Sequence, residues 1–250
     1  MSISVRQKII PFTPKESQAA CAGCCLHRLC MPIALSYREM ERIDALIGAP
    51  RRLRQGQYLY RSGDPFKAIY VVRAGFFKTC VLSGNGHEQV AGFQMVGEFL
   101  GLDGISSEAH TCDAVALEDS QVCSIPFAEL EVLACQIPAL QRHFHKLMSR
   151  EIVRDQGVMM LLGTLHAEHR LAAFLLNLSQ RFAARGYSST TFHLRMTRDE
   201  IGSYLGLHLG TVSRAFSQFQ EDGLVAVNLR HIQLLDLDRL RKALGRPGPH

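Results

Sequence analysis

Short β-forming runs separated by turn signals fill the chain from about residue 52 to residue 127. The runs Tyr58–Tyr60 and Phe76–Leu82 end at Ser62-Gly-Asp-Pro65 and Ser83-Gly-Asn-Gly86, and the second turn is a hairpin signal. Four further runs of this kind are Ile69–Val72, Val90–Phe93, Thr111–Val115 and Gln121–Ile125. Many short strands at this spacing predict an all-β barrel or roll.

Helical patterns flank this β segment. Ser36 and Glu39 have the spacing of a capping box and predict a short helix through Ile47. A longer helical pattern runs from about residue 138 to residue 165, and five of its residues follow the 4, 3, 4, 3 spacing of a coiled-coil seam. These are Met148, Ile152, Asp155, Met159 and Leu162. We predict that the seam is a dimer interface; the alternative is that the helix packs on its own domain.

Asp155 is the acidic exception on this otherwise apolar seam. Two such carboxylates about 4 Å apart would repel each other by up to about 4 kcal/mol at an effective dielectric near 20. Asp155 would then oppose the pairing of two helices. In the alternative interpretation its side chain points to water and only sets the register.

A helix-turn-helix pattern begins at Thr197. Thr197 and Glu200 have capping-box spacing, and Gly206 supplies the left-handed residue that ends the first helix. A second helix is predicted from about residue 208 to residue 220. The pattern predicts a DNA-reading motif, and the alternative is a helical hairpin with a purely structural role.

Thr211, Ser213 and Arg214 lie off the apolar face of this second helix, near its N-terminal half. In helix-turn-helix proteins, residues at this place meet base edges. Arg214 can donate two hydrogen bonds to a guanine, a contact worth about 1–3 kcal/mol of base discrimination. The β-like runs 224–227 and 231–235 predict a wing, so the C-terminal part is expected to bind double-stranded DNA.

Composition limits the remaining classes of function. The chain has 250 residues, 47% of them hydrophobic, which suffices for two domains. It shows no run of 18 apolar residues and no signal-peptide pattern, so we expect a cytoplasmic protein with no membrane partner. From residue 164 onward, 11 Lys and Arg stand against seven Asp and Glu, which favours an anionic partner. No Ser/His/Asp set, paired carboxylates or phosphate-binding glycine loop is visible, so we expect no enzyme.

Three cysteines near the N-terminus, Cys21, Cys24 and Cys30, are spaced C-x2-C-x5-C. A reducing compartment keeps thiols reduced, so the eight cysteines indicate thiols and metal ligands rather than disulfides. The cluster indicates a switch that responds to a metal, oxygen or redox state, and its spacing differs from that of ferredoxins. Three further cysteines in apolar stretches are expected to be buried thiols: Cys80, Cys112 and Cys135.

Several stretches together carry a family resemblance. They are Cys21-x2-Cys24-x5-Cys30, Gly92-Phe93 with Gly97-Glu98, Val122–Pro126, Leu147–Ser149 with Asp155-Gln156, Glu168–Phe174, and Met196–Arg198 through Thr211–Arg214. Over nearly all of residues 21–240 the chain resembles the cyclic-AMP receptor protein (CRP) superfamily, and within it the FNR branch of oxygen-responsive regulators. The resemblance implies an α+β fold with an N-terminal cyclic-nucleotide-binding-like β-roll, a long dimerisation helix and a C-terminal winged helix-turn-helix.

On this basis we divide the chain into four parts. They are an N-terminal arm (1–31), a β-roll sensor domain (32–136), a dimerisation helix (137–163) and a DNA-binding domain (164–250). The resemblance adds Thr197 and Arg198 to the DNA-binding residues. It also implies that surface loops contact RNA polymerase, and the Ser83–Gly86 turn is our candidate.

The resemblance implies that Cys21, Cys24, Cys30 and the isolated Cys123 are the four ligands of a [4Fe-4S] cluster, and thiolates suit such clusters. It implies a transcription activator that forms a homodimer and binds a palindromic promoter site while the cluster is present. Oxygen would destroy the cluster and switch the protein off. Asp155 would oppose dimerisation until the cluster is bound.

Alternatives to this interpretation stay open. The same cysteines would serve a regulator that senses nitric oxide or redox state. A structural zinc site in a DNA-binding protein is a further alternative, although structural zinc commonly uses two closely spaced pairs and Cys123 is isolated. Cys25 can also compete with Cys24 as a ligand.

Two departures from the family pattern have functional consequences. Cyclic-nucleotide binders carry an Arg-Ser or Arg-Thr pair that holds the phosphate, but residues 105–112 contain no arginine. We therefore expect no cyclic nucleotide as effector. Gly210 stands where the FNR recognition helix has a glutamate, and glycine cannot accept a hydrogen bond from a cytosine amino group. We predict relaxed specificity at one base pair.

Overall fold

The computed structural model describes residues 30, 35–82, 84, 86, 88–164 and 166–244. Eight strands form its first part: β1 (Arg51–Leu53), β2 (Tyr58–Tyr60), β3 (Ala68–Ala74), β4 (Phe76–Leu82), β5 (Glu88–Met95), β6 (Phe99–Leu100), β7 (Asp113–Ala116) and β8 (Ser120–Pro126). They make two four-stranded antiparallel sheets, ordered β1-β8-β3-β6 and β2-β7-β4-β5. This confirms the predicted roll and adds β1 and β6, which the sequence pattern missed.

A tight turn carries the chain from the first sheet to the second. Val72 of β3 and Phe77 of β4 are both fully buried between the sheets. Gly75 joins the two strands with a φ of +89°, and a Cβ there would lie 2.0 Å from the Ser120 side-chain oxygen. Only glycine fits this position, so the crossing point between the sheets depends on it.

Three helices pack against the first sheet: α1 (Tyr37–Leu46), α2 (Phe127–Gln136) and α3 (Pro138–Thr164). The predicted capping box of α1 is confirmed, because Ser36 Oγ accepts a hydrogen bond from the Glu39 backbone N–H at 3.4 Å. Helix α2 was not predicted, although its buried Leu130 and Leu133 are spaced as a helix requires. Pro138 separates α2 from α3, since proline favours the first position of a helix and disfavours helical structure before it.

The C-terminal part contains the predicted winged helix-turn-helix. Its elements are α4 (Ala167–Ala183), β9 (Thr191–His193), α5 (Arg198–Leu205), α6 (Leu209–Glu221), β10 (Val225–Asn228), β11 (His231–Leu234) and α7 (Leu237–Leu244). The strands form one antiparallel sheet in the order β10-β11-β9. The final helix, α7, was not predicted.

One apolar core continues from the second sheet of the roll into the C-terminal part. Phe93 of β5 belongs to the same buried cluster as Phe174 of α4 and Ile201 of α5. Its ring lies 6.0 Å from that of Phe174 and 5.2 Å from that of Tyr204, between centroids. In the described ranges, no helix combines the length and apolar character that a membrane crossing needs.

Candidate DNA-reading surface and cysteine site

Close backbone contacts fix the turn between α5 and α6. Thr197 Oγ1 accepts a hydrogen bond from the Glu200 N–H at 3.2 Å, and the Glu200 carboxylate accepts one from the Thr197 N–H at 2.7 Å. Gly206 ends α5 with a φ of +62°. A Cβ on Gly202 would lie 2.5 Å from the Leu207 carbonyl oxygen, so this position needs glycine. The predicted capping box and helix end are confirmed, and together they set the angle between the two helices.

α6 buries one face and presents the other to solvent. Its buried side chains are Val212, Ala215, Phe216 and Phe219. Thr211 and Ser213 are half-buried and Arg214 is exposed. The Arg214 guanidinium donates a hydrogen bond to Thr211 Oγ1 at 3.4 Å. The three polar residues predicted to read DNA therefore lie together on the first half of α6.

Gly210 lies beside these residues in open space. No atom comes within 4 Å of the place where its Cβ would stand. A glutamate would therefore fit at this position, and the fold itself does not require glycine there. The expected loss of base discrimination comes from the missing carboxylate alone.

Thr197 and Arg198 differ in what they can offer to a ligand. The Thr197 hydroxyl is engaged by the cap, since it also donates to the Glu200 carboxylate at 3.1 Å. The Arg198 guanidinium lies over the Phe216 ring, 5.2 Å from its centroid. Within the described part of the chain Arg198 makes no ion pair, so its charge is available to a phosphate.

The wing closes with a two-residue turn, Leu229-Arg230, between β10 and β11. Leu229 has a φ of +56° and is 90% exposed. A cleft of about 190 Å³ separates the wing from α5 and α6, and both Arg198 and Arg230 line it. The cleft between the wing and the two helices therefore carries two guanidinium groups.

Cys30 and Cys123 belong to one apolar cluster, although they come from distant parts of the chain. Cys30 is 7% exposed, and the cluster around it is built by α1, α2, α3 and the first sheet. Cys123 lies on β8, half-buried against the same cluster and opposite Val71 in the register. Cys21, Cys24 and Cys25 lie outside the described residues. Among the residues that are described, no three His, Cys, Asp or Glu side chains are grouped to hold a metal ion.

A hydrogen bond ties Cys30 to the long helix. His143 Nε2 of α3 lies 3.2 Å from the Cys30 carbonyl oxygen. A carbonyl oxygen only accepts, so Nε2 carries the proton. Burial lowers the pKa of His143, which keeps the imidazole neutral at pH 7.

Of the other three described cysteines, two are buried and one is exposed. Cys80 and Cys112 are buried as expected, and burial raises the pKa of Cys112 to about 12, so its thiol stays protonated. The expectation for Cys135 is wrong, because this residue is exposed. It lies on the outer side of α2, beside the 61% exposed Val132. The apolar stretch around it was misread because the helix itself was not predicted.

The seam residues of α3 are only partly covered by the rest of the chain. Ile152 is 57% exposed and Met159 is 71% exposed. The Asp155 side chain is 68% exposed. Met148 and Leu162 are half-buried. The central part of the predicted seam therefore faces solvent in a single chain.

Two neighbouring apolar residues widen this stripe. Val153 is 63% exposed and Met160 is 71% exposed. The sequence analysis did not assign them to the seam. Their signal was the repeat of an apolar pair after seven residues, at 152–153 and again at 159–160. An exposed stripe of this kind on a helix marks a surface that a partner covers.

A buried ion cluster joins the roll to the C-terminal part. The Glu98 carboxylate accepts hydrogen bonds from Arg181 Nε at 2.9 Å and from Arg185 Nη2 at 2.6 Å. Arg181 also donates to the Phe93 carbonyl oxygen at 2.7 Å. Burial opposes ionisation of Glu98, but the two guanidinium groups outweigh it and hold its pKa below the usual 4.5.

A second joint lies between β5 and α5. Ser203 Oγ accepts a hydrogen bond from the Val90 N–H at 2.9 Å. Lys78 of β4 forms ion pairs with Glu88 at 2.7 Å and with Glu200 at 3.1 Å. The first helix of the helix-turn-helix is thus held directly by strands β4 and β5 of the roll.

The interior of the roll near residues 105–112 is filled by side chains. His110 is buried and its ring stacks on that of Tyr60, with 3.6 Å between centroids. Asp103 accepts a hydrogen bond from the Thr111 N–H at 2.7 Å. Stacked rings and a carboxylate therefore occupy this part of the roll.

Comparisons with known proteins match both halves of the chain. Residues 50–135 match the cyclic nucleotide-binding domain, and residues 169–243 match the Crp-like helix-turn-helix domain. The solved structure of FixK2 from Bradyrhizobium japonicum is similar, with a TM-score of 0.72 and 30% identity over 78% of this chain and 96% of that one.

Curated relatives extend over nearly the whole chain. The transcriptional regulatory protein btr of Bordetella pertussis is 46% identical, over 96% of this chain and 98% of its own. The transcriptional activator protein anr of Pseudomonas aeruginosa is 44% identical, over 88% and 90%. The fumarate and nitrate reduction regulatory protein of Escherichia coli is 41% identical, over 90% of each chain.

Proposed function

Because the chain belongs to the CRP/FNR family of DNA-binding transcription regulators, we propose that it is an oxygen-responsive activator in the cytoplasm. The observation that carries the proposal is the placement of Cys30 and Cys123 in one apolar cluster against α3. One cysteine comes from the arm and the other from the roll, so ligands shared between them would tie these two parts together.

A [4Fe-4S] cluster held by Cys21, Cys24, Cys30 and Cys123 fits the described half of this site. Both described donors are sulfur atoms in apolar surroundings, and such clusters take thiolate ligands. The cluster would supply reactivity toward oxygen, which side chains alone lack. The chain's own contribution is to hold Cys30 against α1, β8 and α3, and loss of the ligation would free the part of the arm before Cys30.

We propose that α3 passes this change to the state of assembly. The exposed stripe of Ile152, Met159 and their neighbours is the surface that a second copy would cover. Asp155 lies within the stripe and opposes pairing until the arm is fixed. Dimerisation would then place two α6 helices about one DNA turn apart, as a palindromic site requires.

We assign base reading to Ser213 and Arg214, and Thr211 lies beside them. Arg198 would bind a phosphate of the DNA backbone. Arg214 is exposed on α6 and has the geometry to bond guanine. We also propose contact with RNA polymerase through surface loops. Of the candidate turn at residues 83–86, Ser83 and Asn85 lie outside the described residues.

Anaerobic purification followed by exposure to air tests the proposal. We expect a brown protein with a broad visible absorption band, four sulfur ligands per cluster and binding to an FNR-like palindrome. Air should bleach the band and abolish specific DNA binding together. A colourless protein that contains zinc and binds DNA equally before and after air would overturn the proposal in favour of structural zinc. Bleaching by nitric oxide but not by air would instead identify the alternative signal.

A further inference from the structure

His143 occupies a position between the cysteine site and the dimer surface. Its Nε2 atom donates to the Cys30 carbonyl oxygen at 3.2 Å, across 113 positions of sequence. The bond is partly buried, and it fixes the backbone of the cysteine rather than its sulfur atom. The hydrogen bond therefore sets the position of the Cys30 backbone, from which the side chain extends.

The same face of α3 also covers Cys30 with apolar side chains. Leu140 lies three residues before His143 and Leu147 lies four residues after it, so all three share one side of the helix. Both leucines are buried in the cluster that contains Cys30 and receives Cys123. The cysteine is thus held by one helix face, through packing and through a hydrogen bond.

The dimer stripe begins further along this helix. Ile152 follows His143 by nine residues, or about 13 Å at the rise of an α-helix. A shift of Cys30 that broke the contact with His143 would act on the first half of α3, and the exposed stripe lies on the second half. A rigid helix is one of the elements that can carry coupling between two such places.

We propose that His143 is a positioning residue that holds Cys30 for ligation and couples the cysteine site to the dimer helix. The proposal rests on the proposed function, because the ligation itself belongs to that function. It adds the specific claim that a donor on α3, and not packing alone, keeps this cysteine in place.

Three variants separate the donor from the packing. His143→Leu removes the donor and keeps an apolar side chain of similar reach. His143→Gln keeps an N–H donor close to the position of Nε2 and should restore the contact. His145→Leu is the matched control, because His145 is exposed on the other side of the same helix.

Hydrogen exchange of the full-length, cluster-free chain gives the first readout. In His143→Leu, the peptide that contains Cys30 should exchange about fivefold faster, the factor that corresponds to one hydrogen bond of about 1 kcal/mol. His143→Gln and His145→Leu should exchange like the wild type. Unchanged exchange in His143→Leu, or equally fast exchange in His143→Gln, would overturn the proposal.

Reconstituted protein gives the second readout. His143→Leu should lose its visible absorption in air faster than the wild type, and it should form fewer dimers by sedimentation before air is admitted. His143→Gln should recover both properties. If the wild type takes up no cluster at all, the proposed function fails, while the exchange measurement still decides whether His143 holds Cys30. If all three variants lose their absorption in air and form dimers as the wild type does, His143 does not couple the cysteine site to the dimer helix.

Discussion

The reading unit and the cysteine site are built in opposite ways. The α5–α6 pair is fixed by contacts between residues a few positions apart, such as Thr197 with Glu200 and Gly202 with Leu207. The cysteine site is assembled from the arm, β8 and α3, and its key hydrogen bond joins Cys30 to His143 across 113 positions. A locally specified unit keeps its shape, whereas a site assembled from distant segments can come apart. The difference suits the proposed function, in which one part of the molecule reads DNA and the other responds to a signal.

The largest expected effect comes from breaking the ion cluster that joins the roll to the C-terminal part, and with it the connection between the half that contains the cysteine site and the half that contains the reading unit. Glu98→Gln removes the charge that faces Arg181 and Arg185. Leaving two buried guanidinium groups unpaired should cost about 3–5 kcal/mol of unfolding free energy. Chemical denaturation measures this loss of stability. The control is Glu118→Gln, which removes the partner of the more exposed Arg195. Equal stability of the two variants would show that the Glu98 joint is dispensable.

The same joint predicts a pH dependence. The folded pKa of Glu98 lies below its usual 4.5, so its contribution is present above about that pH and is lost as the pH falls through the folded value. Stability of the wild type should therefore decline in this acid range more steeply than that of Glu98→Gln. Denaturation curves at several pH values test this, and parallel profiles would contradict it.

Breaking the local geometry of the reading unit should have the next largest effect. In Gly202→Val the added atoms meet the Leu207 carbonyl oxygen, so overpacking should cost about 1–3 kcal/mol and change the angle of α6. Gly48→Ala, outside the reading unit, is the control, since its Cβ enters open space. Thermal unfolding and binding to a palindromic site measure both variants. Normal DNA binding by Gly202→Val would show that the turn does not set the reading angle.

Arg214 and Gly210 test how sharply the reading unit recognises its site. Arg214→Ala should lose about 1–3 kcal/mol of discrimination at one guanine, and Arg239→Ala, an exposed arginine on α7, should not. Gly210→Glu should gain discrimination for cytosine at a neighbouring pair. A series of base-substituted sites measures these changes. Strong discrimination by the wild type at the pair assigned to Gly210 would contradict the prediction.

The smallest effect of a substitution is expected at the exposed stripe of α3. The Asp155 side chain is 68% exposed, so water screens its repulsion to about 1 kcal/mol, well under the upper bound from the sequence. Asp155→Ala should strengthen dimerisation of the cluster-free chain by about fivefold. Sedimentation equilibrium measures this, with Asp238→Ala on α7 as the control. An unchanged dimer constant would mean that Asp155 only faces water.

What the sequence could predict follows from the range of each interaction. The capping boxes at Ser36 and Thr197 and the left-handed Gly206 depend on neighbours within a few residues, so their signals are visible in the sequence. The short strands β1 and β6 took their structure from pairing with β8 and β3, and they carried too few residues to show a pattern. The helical pattern of α2 was not recognised in the sequence because the helix begins directly after β8.

The candidate site was predictable only in part, for the same reason. The cysteine spacing is a local motif and the seam on α3 is periodic, so both are visible in the sequence. Val153 and Met160 were missed because a strict two-position seam excludes their neighbours. Two hydrogen bonds depend on the tertiary fold and have no local sequence pattern. They join Glu98 to Arg181 and Cys30 to His143.

The shared core between the roll and the reading unit limits how such proteins can be recombined. Phe93 contacts Phe174 and Tyr204 across the boundary, and Val90 bonds Ser203. A chimera that exchanged only the C-terminal part for that of another regulator would expose an unmatched face of β4 and β5. Successful grafts should therefore carry the outer residues of these two strands along with the new reading unit. The unit that can be exchanged is larger than the domain boundary suggests.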